Sequence, residues 1–172
     1  MSQQIDGTNF IEAKYDVFQK FHKQLAVLAS GDIHDFRCMT IGWGMMGNVW
    51  GHPGSALTVY VHPSRHTFEY TQKNEFFTVS FFPEEYHKDV ITLGTHSSRN
   101  EDKIALTSLT PKAIENGVGF EQAELTFVCR KIYAEQFDIQ RVPDFMKEGI
   151  YNKLEPHYMY IGSVVDAFGM IE

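Results

Sequence analysis

Two short segments place cations and hydroxyl groups where a helix is predicted to begin. The first spans 62–67 and the second spans 96–103; their candidate anion ligands are Arg65, Thr67, Ser97, Ser98, Arg99 and Lys103. Backbone N–H groups and the helix dipole favour an anion at such a place, and arginine offers bidentate donors to phosphate. Each segment alone is equally compatible with an ordinary capped helix, through Ser64 in one and the capping box Ser98-x-x-Glu101 in the other. Together they favour a bound phosphate.

A glycine-rich segment, 39–51, is the third candidate. It carries two tryptophans and four glycines, Gly42, Gly44, Gly47 and Gly51. Glycines let a ligand approach the backbone closely, and Trp43 and Trp50 offer flat surfaces beside it. Such a segment suits a planar heteroaromatic ring lying against main-chain groups. Taken alone, a glycine-rich turn with two core tryptophans explains it at least as well.

Other catalytic and metal motifs are missing. The sequence has no G-x-S-x-G, P-loop or H-E-x-x-H, and its G-x-G-x-x-G at Gly42 precedes an irregular segment rather than a helix. His62 and His66 are four residues apart but straddle a predicted strand end and helix start, which disfavours zinc. Cys38 and Cys129 are isolated, so neither a disulfide framework nor a cysteine zinc site is expected. We therefore predict no metal site and assign no catalytic residue.

The composition is that of a globular chain. Of 172 residues, 43% are hydrophobic and 14% aromatic, which fits one domain, 1–172. Fifteen basic and 22 acidic residues give a net charge of −7, which disfavours nucleic acid and anionic membranes as partners. Two separated cysteines and no apolar leader or spanning segment lead us to expect a cytoplasmic protein with reduced thiols.

Hydrophobic periodicity predicts the elements that would position these residues. Ile11, Tyr15, Phe18 and Phe21 lie at helical spacing, so an N-terminal helical extension is expected within 1–24. Further helices are expected at 64–74, at 84–93 with Gly94 closing it, and after Ser98. Residues 42–54 are expected to form a long loop. Strands are predicted at 25–29, 37–43, 56–62, 76–82, 124–138 and 157–168. Because they do not alternate with long helices, a mainly β, antiparallel barrel is favoured.

The ordered set of motifs resembles the flavin reductase-like family with the FMN-binding split barrel, and within it the flavoredoxin-type members. The likeness runs from about residue 25 onward. The matching segments are MTIGWG (39–44), VYVHPSRHTFEYTQKN (59–74), VSFFPEEY (79–86), GTHSSRNEDK (94–103), ELTFVCRKIYAEQFD (124–138) and HYMYIGSVVDAF (157–168).

The resemblance implies a mainly β, six-stranded antiparallel split barrel with Greek-key order, usually a homodimer, with non-covalent FMN near the subunit interface. Carried over by motif, one group would line the isoalloxazine ring: Thr40, Ile41, Gly42, Trp43 and Gly44. The phosphate and ribityl side would be held by Pro63, Arg65 and Thr67, and the anion site completed by Ser97, Ser98, Arg99 and Lys103. Ser80, Phe81 and Phe82 would lie on a strand that borders the flavin. Similar proteins often have glycine where Ser98 stands, so its contact departs from the family pattern.

Three functions follow as hypotheses. The first is an FMN-dependent oxidoreductase that passes electrons from NADH or NADPH through flavin to an acceptor. The second is an FMN-containing electron carrier without NAD(P)H activity, whose acidic surface would dock on a redox partner protein. The third is a non-redox binding module for another phosphorylated or planar ligand.

Overall fold

The computed structural model describes residues 2–51 and 54–171. Four α-helices lie in them: α1 (Val17–Gln19), which continues into a π-helical turn at Lys20–Gln24, α2 (His66–Lys73), α3 (His87–Thr95) and α4 (Asp144–Gly149). The strands are β1 (Gln3–Ile5), β2 (Ala26–Asp32), β3 (Asp35–Ile41), β4 (Gly44–Val49), β5 (Gly54–Val61), β6 (Phe76–Phe81), β7 (Pro111–Ile114), β8 (Gly117–Phe120), β9 (Leu125–Gln136) and β10 (Tyr158–Ile171). Single 3₁₀ turns occur at Glu84–Tyr86, Ile104–Leu106 and Ile139–Arg141.

One antiparallel sheet carries most of the fold. Its strand order is β3-β2-β6-β9-β10-β5-β4, with β1 added to β10, while β7 and β8 form a separate hairpin. Every strand pair in the described residues is antiparallel. Neighbours along the sheet are therefore often distant in sequence, as β6 and β9 are. This long-range pairing confirms the predicted mainly β, antiparallel architecture.

The two faces of β2 belong to two hydrophobic clusters. Ala26 and Leu28 face the larger one, which the inward side chains of the main sheet fill. Val27 and Ala29 face the smaller one, which includes Val90 and Leu93 of α3. Since side chains alternate between faces along a strand, both sets are buried. The continuous apolar run at 25–29 therefore marks a strand covered on both sides.

All six predicted strands are present, and four more accompany them in the described residues. In β5, Leu57, Val59 and Val61 are buried on one face, as their alternation predicts. The expectation of a loop at 42–54 was wrong for most of its length, because β4 pairs with β5 there; His52 and Pro53 lie outside the described residues.

The predicted N-terminal helix is much shorter than its hydrophobic spacing indicated. Residues 3–5 form β1, and helical structure covers only 17–24. Ile11 and Phe18 are 69% and 88% exposed, whereas Phe21 is buried against Phe81. The apolar spacing at 11–18 therefore does not mark a buried helical face.

Three predicted helix boundaries were also wrong. Ser64 does not cap α2, because its hydroxyl is bonded to His62 Nδ1 at 2.7 Å and Arg65 occupies the N-cap position. Residues 97–103 form turns rather than a capped helix, since Glu101 is bonded to His96 Nδ1. Gly94 does not close α3; it lies in the last turn, where a β-carbon would come within 2.9 Å of Thr40 Cβ.

No helix within residues 2–51 and 54–171 has the length and apolar character needed to cross a membrane.

Candidate functional site

A cavity of about 280 Å³ opens where β3 ends and the chain turns toward β4. The segment before α2 closes one side, and the residues that precede β10 close another. Its lining residues are Met39, Thr40, Ile41, Gly42, Trp43, Tyr60, His62, Ser64, Arg65, Leu154 and His157. The cavity thus brings together the glycine-rich segment and the first cation-bearing segment, and it adds residues from the C-terminal part of the chain.

Near Trp43 the cavity has backbone groups outside the sheet ladders. The β2–β3 ladder ends at Ile41, and the β4–β5 ladder begins at Gly44. Gly42 and Trp43 lie between the two ladders, and the Trp43 side chain is 42% exposed. Thr40 donates its hydroxyl to the Val90 carbonyl oxygen, so that group is used within the protein. A flat, polar-edged ring could therefore meet both an indole face and the main chain here.

The two cation-bearing segments meet beside this cavity, at Ser64 and Arg65 of its lining. Arg65 Nη1 donates to the Gly94 carbonyl oxygen at 3.3 Å, and Arg99 Nη1 donates to the Ser64 carbonyl oxygen at 2.9 Å. Each arginine thus binds the backbone of the other segment or of the helix leading into it. Both residues are exposed, which leaves their remaining donors accessible to an anion.

His66 joins the same two segments. Its Nδ1 lies 3.3 Å from the Nε donor of Arg37 and 3.0 Å from the Ser98 hydroxyl. Partial burial lowers the pKa of His66, and the nearby Arg37 and Arg99 lower it further. Because Arg37 can only donate, Nδ1 acts as an acceptor and the ring is neutral. Ser98 is therefore held by a histidine rather than left free for a ligand.

Arg99 and Lys103 already have protein partners. Arg99 forms an ion pair with Glu69, which an incoming anion must share or displace. Buried Lys103 donates to the Leu93 carbonyl oxygen at 2.6 Å and to the His96 carbonyl oxygen at 3.5 Å. Burial lowers the pKa of Lys103 most, while the Cys38 thiol raises it. Lys103 thus caps the C-terminal end of α3 and lines a neighbouring cavity of about 360 Å³ with Cys38.

Several predicted site residues lie in the protein interior instead. Ser80 is bonded to Thr126 at 2.9 Å, Phe81 packs on Phe21, and Phe82 packs on Phe120. These three are fully buried, and Thr67 is buried in the first turn of α2. These four buried residues do not line the cavity, and the lining also lacks Gly44, Pro63 and Ser97. Ser97 accepts the backbone N–H of Arg99 at 3.3 Å and so shapes that turn.

Gly44 serves packing rather than ligand approach. A β-carbon on Gly44 would lie 2.3 Å from the nearest ring carbon of Phe21. At Gly42 it would lie 3.0 Å from a Leu25 methyl carbon. A β-carbon on Gly47 would have no other atom within 4 Å. The glycine at 44 is therefore needed because a phenylalanine from the π-helical turn occupies the space above β4.

His157 completes an aromatic wall of the cavity, and no sequence motif pointed to it. His157 lies against Trp43 with ring centroids 4.6 Å apart, and His62 meets His157 edge to face at 5.1 Å. Burial, and then the nearby His62 and Arg65, lower the pKa of His157 to about 4, so its imidazole is neutral. His62 Nδ1 accepts the Ser64 backbone N–H, while its Nε2 is buried without a partner in the described residues. No spacing in the sequence links these histidines; only the β5–β10 pairing brings them together.

Solved structures of other proteins share this architecture. Flavoredoxin from Methanosarcina acetivorans superposes with a TM-score of 0.64 at 20% identity, covering 85% of this chain and 68% of its own. An FMN-binding protein from Thermus thermophilus superposes with a TM-score of 0.66 at 20% identity, covering 91% of this chain and 78% of its own. A protein with a split barrel domain from Shewanella frigidimarina superposes with a TM-score of 0.66 at 13% identity, covering 94% of this chain and 78% of its own. No family model and no curated protein matches the sequence.

The fold is the FMN-binding split barrel. This confirms the fold that the sequence resemblance implied. The predicted six strands form the barrel sheet together with β1 and β4. Within this split barrel, β3 and β4 are the two ends of the strand order, and the candidate cavity lies where the chain passes from one to the other.

Proposed function

We propose that the protein is an FMN-binding oxidoreductase that passes electrons from NADH or NADPH through the flavin to an acceptor. The observation that carries this proposal is one cavity lined by an arginine together with an exposed indole and free backbone groups. Arg65 and Trp43 line the same space. FMN has the matching chemistry, an anionic phosphate at one end and a flat heteroaromatic ring at the other.

The phosphate end fits the cations that the two segments bring together. In a protein of net charge −7, Arg65 and Arg99 are local positive charges fixed by backbone contacts. Their guanidinium groups offer bidentate donors, which suit a phosphate better than a lysine's single ammonium would. We assign Arg65 as the main phosphate ligand and Arg99 as the second, released in part from Glu69.

The ring end fits a planar group that hydrogen-bonds along its edge. Trp43, Tyr60 and His157 provide aromatic surfaces, and the backbone of Gly42 and Trp43 provides donors and acceptors. Bound FMN would supply the electron chemistry, while the protein would supply orientation and the surrounding electrostatics. None of these residues needs to be a strong acid or base, which agrees with the lack of a catalytic motif.

A visible spectrum tests flavin binding. We expect the purified protein to be yellow, or to bind added FMN with quenching of flavin fluorescence, and the ligand released on denaturation to have the mass of FMN. Protein that stays colourless with excess FMN, or releases a different ligand, would overturn the flavin proposal and favour a non-redox binding module.

A second candidate is an FMN-containing electron carrier. The net charge of −7 favours it, because an acidic surface steers docking onto a basic redox partner. Anaerobic mixing of the FMN-loaded protein with NADH and then NADPH separates the two functions. Rapid bleaching of the flavin band with either nucleotide supports the oxidoreductase. Unchanged absorbance with both supports the carrier.

We also propose that the protein works as a homodimer. An apolar groove of about 800 Å³ adjoins the cofactor cavity and shares Gly42, Trp43 and Tyr60 with it. Phe18 and Met45 in this groove are 88% and 60% exposed, and β4 beside it is the last strand of the sheet order. Exposed apolar surface next to an open strand edge is typical of an interface. A second copy covering it would also cover the open side of the cavity.

Sedimentation equilibrium tests the dimer. We expect a dimer mass for the wild-type chain and a monomer for Met45→Glu, because burying a charge in an apolar interface is strongly unfavourable. Met170→Glu is the matched control, since Met170 is similarly exposed at 57% but lies on β10 outside the groove. A monomeric wild-type protein at all concentrations would overturn the proposal.

A further inference from the structure

A tyrosine outside the cavity holds the histidine that lines it. Tyr151 follows α4, in the segment that leads to β10, and its hydroxyl lies 3.1 Å from His157 Nδ1. This is the only hydrogen bond of the Tyr151 hydroxyl within the described residues. The two rings are also in contact, with centroids 5.8 Å apart at 61°. Tyr151 therefore constrains both the position and the rotation of the imidazole.

The direction of this hydrogen bond follows from the partners available. His157 is neutral, so one ring nitrogen carries a proton and the other accepts. If His157 Nδ1 donated, the half-buried Tyr151 hydroxyl would be left with no acceptor for its own proton among the described residues. Donation from the hydroxyl to Nδ1 uses that proton and leaves the imidazole proton on Nε2.

The second nitrogen of His157 faces open space. His157 Nε2 has no hydrogen-bond partner among the described residues, and it is not one of the enclosed, unpartnered side-chain atoms there. Besides Tyr151, the titratable groups that act on the ring are His62 and Arg65, and Trp43 lies against one face. Because His157 itself lines the cavity beside Trp43, an accessible proton on Nε2 is available to a ligand there.

On the basis of the proposed flavin function, we propose that Tyr151 is a positioning residue. Its hydroxyl fixes His157 as the Nε2–H tautomer and turns that N–H into the cavity as a fixed donor to the acceptor edge of the flavin ring. A donor at that edge stabilises the more electron-rich, reduced form of the ring. Tyr151 therefore raises both the affinity for FMN and the reduction potential of bound FMN without touching the flavin.

Nitrogen NMR of the protein labelled with ¹⁵N-histidine, recorded without FMN, tests the tautomer directly. The resonances of His157 are identified by their loss in His157→Gln. In the wild-type protein we expect a protonated Nε2 and an unprotonated Nδ1. In Tyr151→Phe the two shifts should move toward those of a tautomer mixture. A protonated Nδ1 in the wild type, or unchanged shifts in Tyr151→Phe, would overturn the proposal.

Titration with FMN tests the consequence. Tyr151→Phe should bind FMN roughly three- to tenfold more weakly, which is the usual range for one neutral hydrogen bond, and should lower the midpoint potential of bound FMN. Tyr133→Phe is the matched control: its hydroxyl bonds Glu135 on β9, away from the cavity, and its affinity and potential should equal those of the wild type. A potential unchanged in Tyr151→Phe contradicts the positioning role. If the wild-type protein binds no FMN, the flavin function fails, while the NMR tautomer still decides the role of Tyr151.

Discussion

Arg99 donates a 2.9 Å hydrogen bond to the carbonyl oxygen of Ser64, the residue directly before Arg65. Two segments separated by the whole of β6 and α3 are joined by this contact. The contact also fixes the backbone from which the Arg65 side chain extends. Arg99 therefore adds a positive charge beside Arg65 and also holds in place the segment that carries Arg65.

Replacing Arg65 with alanine should weaken FMN binding by about 1.5–3 kcal/mol, the usual contribution of a hydrogen bond to a charged group. Arg65 lines the cavity, and its side chain makes one hydrogen bond among the described residues, to the Gly94 carbonyl oxygen. Fluorescence titration gives the dissociation constant. Arg130→Ala is the control, since Arg130 lies on β9 outside the cavity lining and pairs with Glu75. Equal affinity of Arg65→Ala and wild type would mean that the phosphate lies elsewhere.

Glu69→Gln should have the opposite effect and tighten FMN binding by about 0.2–1 kcal/mol, the range for an exposed ion pair. Its carboxylate holds Arg99 and competes with any phosphate for that guanidinium. The gain should shrink as salt is added, because exposed charges are screened. Titrations at low and high ionic strength measure both effects.

Glu75→Gln provides the comparison for that experiment. Glu75 pairs with Arg130 and is as exposed as Glu69, with 54% against 56% of the side chain accessible. It should leave FMN affinity unchanged at every salt concentration. If both variants tighten binding equally, the effect comes from net charge and not from release of Arg99.

Local hydrophobic patterns were enough to predict six of the ten strands in the described residues, because an apolar alternation or run reports which faces are buried. The run Leu57, Val59 and Val61 gave β5 and its inward face correctly. The same kind of reasoning failed at 11–16, where apolar residues at helical spacing do not form a helix. Spacing shows that a face is apolar but not whether another element covers it.

The candidate site was predicted only in part, for a different reason. Arg65 and Trp43 belong to segments whose local chemistry is visible in the sequence, and both line the cavity. His157 enters it through the long-range pairing of β10 with β5, which no local pattern encodes. The capping predictions failed because nearby histidines took the side chains, as His62 does with Ser64 and His96 does with Glu101.

Gly44→Ala should destabilise the fold by about 1–3 kcal/mol, the usual effect of overpacking. The new methyl group would lie 2.3 Å from the buried Phe21 ring, which packs edge to face on Phe81. Urea unfolding measures the change in the free energy of unfolding. Gly47 lies on the same strand, and a β-carbon there would have no other atom within 4 Å. The free energy of unfolding of Gly47→Ala should therefore stay within about 0.5 kcal/mol of the wild-type value. Equal stability of the two variants would show that Phe21 does not require the glycine.

His157 should make the stability of the fold depend on pH. Its pKa in the folded state is about 4, against 6.5 for a histidine in the unfolded chain. Between these values the unfolded chain binds a proton that the folded chain does not. The contribution of His157 to stability is therefore complete above pH 6.5 and is lost as the pH falls toward 4. Urea unfolding at pH 7.5 and pH 5 should show a smaller loss of stability for His157→Gln than for wild type.

The comparison between variants isolates the imidazole, because carboxylates titrate alike in both proteins. His34→Gln serves as the control, since His34 is exposed in the turn between β2 and β3. It should lose as much stability as the wild type over the same interval. Parallel losses in His157→Gln and wild type would mean that the ring beside Trp43 takes up a proton as readily in the folded protein as in the unfolded chain. A neutral donor at the cavity wall would then not survive below pH 6.5.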